Sequence, residues 1–429
     1  MCYTCIEGGE SMAKAMKDYE YNFGLKLRIY PNYQQRKIIK KSSDASRFVY
    51  NEMVYLNLEL WKFGNPKIYI AGITEKIAQL EKLKKATKEL KNRYSWLNDK
   101  EIDSLAIDNA KLNYQNAWKL YRQIDSHGTP QFKRKSYIEK YQTNPHYTKT
   151  EAHLTNSNVK FLDEKHLQLP KLGRIRIKGS KKRLKQLFDM DKQHEIRIGT
   201  LTINRDNLGD YYVSMQLASD EPFVKSIKKT GSKIGIDLNI ENFYADSFGN
   251  IVDNPRYYKK IRRRLKKAQR KLSRRIVRAK KESRSVLTAR NVQSQRRIVA
   301  ELTAKVMRRR DAFQHIQSVA LIKNHDIVAA EELRSKNLLK NHALAQSIQD
   351  VGWRSFLSKL EYKAKLYEKI FVTVDPKNTT QTCSECGHIM SGKDKLTLKV
   401  REWRCPKCGV YHIRDVNAAK NILNKAQSV

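Results

Sequence analysis

The chain has 429 residues, of which 30% are charged and 40% hydrophobic, so it can bury a core beneath a very polar surface. Its 86 lysines and arginines exceed its 44 acids by 42 charges, an excess that nucleic acid would neutralise. No apolar run reaches the roughly 18 residues of a membrane span, and no signal-peptide pattern is visible. We therefore expect a cytosolic, nucleic-acid-binding protein of roughly three domains, without a membrane partner.

The first recognisable element follows an N-terminal extension, residues 1–22, which we predict to be disordered. Cys2 and Cys5 lie in this extension without a second pair beside them, which favours free thiols. Alternation of apolar and polar residues around Leu25 to Ile29 predicts a strand, and helical spacing follows up to about residue 122. A basic, aromatic, loop-like stretch then covers residues 128–142.

Short alternating segments between residues 167 and 217 predict several strands separated by turns. Strands at this spacing favour a small β-barrel, which the first strand joins across the helical insertion. A further unit begins near residue 229 with an apolar strand that ends at Asp237. Residues 256–310 contain 23 lysines and arginines but only two acids, around an apolar stripe of helical spacing. That composition favours a helix facing phosphate over a solvated helix, which normally interleaves acids.

Four cysteines near the end of the chain have the spacing C-x2-C-x18-C-x2-C, which is typical of structural zinc. They are Cys383, Cys386, Cys405 and Cys408. Four thiolates complete a tetrahedral site, so His388 and His412 are not needed as ligands. Asp415 follows seven residues after the last cysteine, at the start of a helix-forming segment.

Acids end two predicted strands, at Asp237 and at Glu331 or Glu332, and Asp415 opens the last helix. Acids placed at separate element ends can converge at one sheet edge, where cations must offset their repulsion. Two Mg²⁺ ions bridging such carboxylates would support phosphodiester hydrolysis. Adjacent strand residues face opposite ways, so spacing does not separate Glu331 from Glu332.

Several segments, in order, resemble the TnpB family of insertion-sequence proteins, which are RNA-guided DNA nucleases related to type V CRISPR effectors. These segments include Ile234-Gly-Ile-Asp237 and Glu331-Glu-Leu333. The most specific are the C-terminal motifs, namely the two Cys-x-x-Cys-Gly turns and Arg414-Asp415-Val-Asn417-Ala-Ala. The front half is also similar, at Leu27 to Pro31 and at Pro130 to Lys135. The resemblance covers nearly the whole chain after residue 22.

The resemblance implies a multidomain α+β fold: a RuvC-like (RNase H-like) nuclease with an inserted zinc ribbon, a β-barrel wedge and a helical recognition lobe. The predicted boundaries are 23–45 and 135–228 for the wedge, 46–134 for the helical lobe, 229–376 and 413–429 for the nuclease, and 377–412 for the ribbon. It further implies that Asp237, Glu331 and Asp415 are the catalytic, Mg²⁺-binding acids, which selects Glu331 over Glu332. Arg414 is either a phosphate partner or part of a surface ion pair. Ile413 departs from the family, which commonly has an acid there.

The implied function is cleavage of double-stranded target DNA beside a short adjacent motif, guided by RNA from the transposon end and catalysed by a monomeric ribonucleoprotein. Three alternatives stay open. They are a compact type V CRISPR effector, a nuclease-silent RNA-guided DNA-binding regulator, which would have damaged acids, and a strand-joining transposase.

Overall fold

The structure is a computed structural model that describes residues 14–65, 71–136, 138–149, 154–225, 227–332, 347–348, 350–397 and 399–427. Cys2 and Cys5 lie outside the described residues. The chain divides into two compact units, Met1–Phe223 and Val224–Val429. The predicted helical lobe and the predicted wedge up to residue 223 lie in the first unit, and the predicted nuclease and ribbon lie in the second. Among the described residues, no helix is both long and apolar enough to cross a membrane.

The first unit contains a seven-stranded antiparallel sheet with the order β2-β8-β9-β1-β7-β6-β5. Its strands are β1 (Tyr21–Tyr30), β2 (Glu139–Thr143), β5 (Lys160–Asp163), β6 (His166–Leu169), β7 (Gly173–Lys178), β8 (Arg197–Arg205) and β9 (Tyr211–Ser219). A two-stranded ribbon of β3 (Tyr147–Lys149) and β4 (Leu154–Asn156) is separate. The first strand therefore joins the later ones, as the sequence predicts. The described strands leave β2 and β5 at the edges, and closure into a barrel stays a prediction.

Strand β1 begins before the predicted end of the N-terminal extension. It starts at Tyr21, and a 3-10 turn at Met16–Asp18 precedes it. Leu25, Leu27 and Ile29 point into the core, because alternate residues of a strand face one side. The prediction of a disordered extension up to residue 22 is thus wrong for Tyr21 and Asn22, which are held by pairing of β1 with β9.

Four helices between β1 and β2 form the second part of the first unit. They are α1 (Tyr33–Phe63), α2 (Ile73–Lys85), α3 (Thr87–Arg93) and α4 (Ser104–Gln123). Asn32 begins α1 with a reciprocal capping box to Gln35. Apolar residues such as Val49, Met53 and Ile107 form their common core. A fifth helix, α5 (Lys181–Lys192), connects β7 to β8.

The second unit is built on a five-stranded sheet with the order β12-β11-β10-β13-β14. Its strands are β10 (Lys233–Asp237), β11 (Asn242–Asp246), β12 (Ile251–Asp253), β13 (Ile327–Glu331) and β14 (Ile370–Val374). β10, β13 and β14 are parallel, whereas β11 and β12 add antiparallel strands at one side. Asp246 accepts hydrogen bonds from the amides of Phe248 and Asn250, so it is a turn residue, as predicted.

Helices connect and cover this sheet. They are α6 (Tyr257–Lys281) and α7 (Arg290–Asn324) between β12 and β13, α8 (Trp353–Leu366) before β14, and α9 (Arg414–Gln427) after the ribbon. The predicted apolar stripe of α6 packs against α7, through Leu265 and Ala268 on Leu302. The basic residues on the other faces of α6, such as Arg263 and Lys267, are exposed. The apolar stripe of α6 therefore packs in a helical hairpin with α7, and the basic face of α6 is exposed.

The ribbon, residues 377–412, lies between β14 and α9. Its strands β15 (Glu402–Arg404) and β16 (Tyr411–Ile413) form an antiparallel pair, and Thr382 bridges to Ile389. Met390, Leu396 and Trp403 surround the cysteines with a small apolar core. So small a core stabilises little by itself, which is the usual situation in metal-stabilised modules.

Candidate metal centres

The four predicted cysteines come together at one point of the ribbon. Their sulfur atoms all lie within 4.8 Å of one another, with Cys383 and Cys408 3.7 Å apart and Cys386 and Cys405 3.6 Å apart. Four sulfurs around a tetrahedral zinc, at Zn–S of about 2.3 Å, are separated by about 3.8 Å. The arrangement fits a zinc ion bound by these thiolates.

Backbone and side-chain groups support the cysteine cluster. The Gly387 and Gly409 amides donate to the carbonyls of Cys383 and Cys405, and both glycines have positive φ, which a residue with a Cβ adopts only with strain. His412 is buried, and its Nε2 lies 3.1 Å from the Cys383 sulfur. The imidazole could therefore support this cysteine in a metal-bound cluster, and the exclusion of His412 as a ligand stays a prediction.

Three predicted acids occupy neighbouring elements of the second unit. Asp237 ends β10, Glu331 ends the parallel neighbour β13, and Asp415 lies in the first turn of α9. Asp237 is 7% exposed, and the side chain of Asp415 is 16% exposed. We call these three residues the carboxylate trio.

The trio is coupled electrostatically at Asp237. Burial raises the pKa of the Asp237 carboxyl well above its ordinary value, and Glu331 and Asp415 raise it further, while Arg414 lowers it. Burial also raises the pKa of Glu331. A hydrogen bond from Thr379 and the charge of Lys425 offset part of that increase. The charge of Glu331 therefore contributes to the raised pKa of Asp237, whereas the side chain of neighbouring Glu332 is exposed. Both other acids of the trio therefore disfavour a negative charge on the buried Asp237.

The trio is looser than the cysteine cluster. Within the described ranges, the four cysteines are the group of potential ligands that meets tightly enough to hold a metal unaided. Asp415 is held by Asn239, whose Nδ2 donates to Oδ2 over 3.1 Å, and Arg401 lies 3.9 Å away. Oxygen ligands of this kind suit Mg²⁺, which binds through a few carboxylates, water and substrate phosphate.

Gly235 sets the distance between α9 and β10. A Cβ at this position would lie 2.1 Å from the Ala419 carbonyl oxygen and 2.9 Å from the Leu423 nitrogen. No side chain fits there, so only glycine allows α9 to lie directly on the strand. Because Gly235 is two residues before Asp237, this contact brings Asp415 to the same sheet edge.

The Arg414 side chain is buried against the ribbon. The side chain is 8% exposed, its Nη1 donates to the Thr397 carbonyl over 3.1 Å, and its Nε is buried without a partner among the described atoms. The interpretation as a surface ion pair is wrong, because the guanidinium packs into the ribbon. Contact with phosphate stays a prediction.

Sequence reasoning did not assign roles to several polar residues near the trio. Thr379 donates to Glu331, and Asn417 and Asn421 of α9 hydrogen-bond the segment before the first cysteine. The four-residue spacing of the two asparagines was a signal, since it places two amides on one helix face. Asparagine in a helix is otherwise unfavourable unless it finds such partners.

Comparison with known proteins finds family models that match three stretches of the chain. Residues 21–65 match the helix-turn-helix model of the OrfB insertion-sequence proteins, residues 214–342 the OrfB model described as "Probable transposase", and residues 353–422 the "Cas12f1-like, TNB domain". Along these three stretches the chain is therefore similar to the OrfB (TnpB-like) insertion-sequence proteins and to Cas12f1-like proteins. The first of these matches covers strand β1 and the long helix α1.

Individual relatives extend over most of the chain. A "Putative RNA-guided DNA endonuclease" of Streptomyces pristinaespiralis is 29% identical, covering 93% of this chain and 88% of the relative. "Putative RNA-guided DNA endonuclease InsQ" of Escherichia coli K12 is 24% identical, covering 94% and 92%. The solved structure "Cryo-EM structure of the Cas12f1-sgRNA-target DNA complex" matches with a TM-score of 0.48 and 15% identity, over 95% of this chain and 99% of that one.

Proposed function

We propose that the protein is an RNA-guided DNA endonuclease whose second unit is a RuvC-like nuclease. The observation that carries this proposal is the placement of Asp237 and Glu331 at the ends of adjacent parallel strands, with Asp415 in the first turn of the helix that covers them. Parallel β10, β13 and β14, flanked by an antiparallel hairpin and covered by α9, form a suitable frame, because the carboxyl ends of parallel strands share one edge. The names of the relatives from Streptomyces and E. coli support the same function.

The carboxylate trio would hold two Mg²⁺ ions. Bound there, the ions would activate a water molecule and stabilise the leaving oxygen of a DNA phosphodiester. Asp237 would be one of the residues that hold them, because its burial and its two acidic neighbours make its charge costly without cations. Asn239 keeps Asp415 oriented toward the same edge through its 3.1 Å hydrogen bond.

The ribbon would hold zinc through its four cysteines without taking part in the chemistry. A closed set of four thiolates leaves no open position for water or substrate, which is the arrangement of structural zinc sites. The ribbon connects directly to α9, since the Arg414 amide donates to the Arg401 carbonyl over 2.8 Å. Zinc would therefore fix the segment that precedes Asp415.

The nucleic-acid partners would be a guide RNA from the transposon end and a double-stranded target. The excess of 42 positive charges and the exposed basic face of α6 supply the sequence-independent attraction to both. Base pairing with the guide would select the target, and the first unit would recognise a short adjacent motif. We propose one protein chain per complex.

The central test is cleavage of a target plasmid by the purified protein with RNA transcribed from the flank of its own element. Glu331→Gln should abolish Mg²⁺-dependent cleavage and leave RNA binding unchanged, while the matched control Glu332→Gln should cleave as the wild type does. Equal cleavage by both variants would refute the assignment of Glu331. Sequencing of RNA that co-purifies with the wild type should give one species that ends in element-flank sequence; random cellular RNA would refute the guide.

A further inference from the structure

The segment between β14 and the first cysteine is folded into a tight turn, residues 376–382, which we call the Thr379 turn. The Thr382 amide donates to the Asn378 carbonyl over 3.1 Å, and Asn378 has a φ of 62°. Thr379 is 2% exposed, so its hydroxyl lies within the protein. The turn therefore has a fixed shape and an inward-facing hydroxyl.

The Thr379 hydroxyl contacts one member of the carboxylate trio. Its Oγ1 donates to Oε1 of Glu331 and lies 3.1 Å from the Pro376 carbonyl. A hydroxyl has a single proton and an ionised carboxylate only accepts, so the proton belongs to the bond with Glu331 whenever that acid is charged. This bond fixes one of the two carboxylate oxygens and leaves the other for a metal.

Two buried amides of α9 hold the turn in place. Asn421 donates through Nδ2 to the Thr379 carbonyl over 2.8 Å and to the Thr382 carbonyl over 2.6 Å. Asn417 also donates to the Thr382 carbonyl over 2.8 Å and accepts from the Ser384 amide over 2.9 Å. The asparagines are 6% and 1% exposed, so these bonds are shielded from water.

The same short stretch of chain thus meets three parts of the proposed centre. It contacts Glu331 through Thr379, contacts α9 (which carries Asp415) through the two asparagines, and continues directly into Cys383 of the zinc cluster. A ligand that must sit within a fraction of an ångström of its metal needs such a second layer of contacts.

We propose that Thr379 is a positioning residue for Glu331, held by Asn421, and that this contact sets how tightly the carboxylate trio binds divalent metal. The inference rests on the proposed role of Glu331 as a metal ligand. It adds a role for the Thr379 turn: it transmits the position of α9 and the ribbon to the acid on β13.

The test compares Thr379→Val, which keeps the shape and removes the donor, with Thr379→Ser, which keeps the donor. The control is Thr382→Val, whose hydroxyl donates within the same turn to the Asn378 carbonyl over 2.8 Å and, among the described residues, contacts no acid. Mn²⁺ binding is measured by the paramagnetic resonance of free Mn²⁺, alongside zinc content and cleavage at increasing Mg²⁺. Loss of an outer-shell partner typically weakens metal affinity about 10–100-fold.

We expect Thr379→Val to bind Mn²⁺ at least about tenfold more weakly and to need correspondingly more Mg²⁺ for half-maximal cleavage. Its zinc content and RNA binding should stay at the wild-type level, and Thr379→Ser and Thr382→Val should resemble the wild type. Wild-type Mn²⁺ affinity in Thr379→Val would overturn the inference, even where Glu331→Gln abolishes cleavage and so upholds the proposed function. Retained cleavage in Glu331→Gln would instead refute the function on which the inference rests.

Loss of zinc in Thr379→Val would be examined in the smaller Thr379→Ala. Zinc retained in that variant together with weakened Mn²⁺ binding supports positioning. Zinc lost in both variants overturns it, because Thr379 would then be a residue needed to fold the ribbon.

Discussion

The cysteine cluster and the carboxylate trio belong to the same unit but are assembled differently. The cysteines lie between residues 383 and 408, and their sulfurs meet within 4.8 Å. The trio comes from β10, β13 and α9, and the hydrogen bond that anchors its last member joins Asn239 to Asp415, 176 positions apart. A site with local ligands depends on two turns, whereas a site with distant ligands depends on the packing of the whole unit.

The largest expected effect tests whether the distant acids act as one site. Asp415→Asn should lower cleavage by about 10³-fold or more, since acids that act as a unit fail together. RNA and DNA binding should not change, because the loss of one negative charge is small compared with the net charge of +42. Rates of plasmid cleavage and filter binding measure the two properties. Asp253→Asn, an exposed acid at the far strand β12, is the control and should cleave normally; a similar loss there would remove the distinction.

The second prediction concerns the local site. Cys405→Ser should lose bound zinc and unfold the ribbon, because structural zinc supplies about 10–16 kcal/mol in small zinc modules and the apolar core of the ribbon is small. Zinc content by atomic emission and thermal melting measure the effect. Cys2→Ser should keep the full zinc content, and loss of metal there would mean that the N-terminal pair also binds it.

The third prediction concerns the close contact of α9 with β10. Gly235→Ala should destabilise the second unit by about 1–3 kcal/mol, the usual cost of overpacking, since its Cβ would lie 2.1 Å from the Ala419 carbonyl. Displacement of α9 should also lower cleavage more than it lowers zinc content. Denaturant titration and cleavage assays measure both. Gly24→Ala in strand β1, where a Cβ meets nothing within 4 Å, should leave both unchanged.

The smallest expected effect belongs to the basic face of α6. Replacing Arg263 and Lys267 together with glutamine should reduce the slope of log affinity for RNA against log salt by about 1.4–1.8, at roughly 0.7–0.9 per phosphate contact. Affinity measured over a salt series gives the slope. Glu301→Gln on α7 removes an acid and should leave the slope unchanged or steeper. An unchanged slope in the double variant would mean that this face does not contact phosphate.

The sequence predicted the parts of the fold that depend on local pattern. The alternation at Leu25–Ile29 and the apolar run ending at Asp237 both correspond to strands, and the cysteine spacing predicted that the four cysteines meet. Each signal lies within about 25 residues, so turn geometry and periodicity suffice. The family resemblance, confirmed by the matching family models, supplied the relation between the distant segments.

The rest depended on tertiary packing that no local pattern contains. The direction of the Arg414 side chain follows from a carbonyl of the ribbon, and the role of Gly235 follows from a helix almost 180 residues later. No local sequence pattern singles out Thr379, whose role depends on the turn that directs its hydroxyl toward Glu331. Such contacts depend on which surfaces of the folded unit meet, and the spacing of residues along the chain does not predict those surfaces.

The late position of α9 in the chain has a consequence for synthesis. Asp415 reaches the sheet through the contact of α9 with Gly235, so the third acid is absent until residues 414–427 have emerged from the ribosome. A nascent chain that has already folded its five-stranded sheet therefore carries Asp237 and Glu331 without their partner. On the proposed assignment, the acidic centre is completed only after the rest of the chain has been made, and a truncated product that lacks α9 would bind nucleic acid without cutting it.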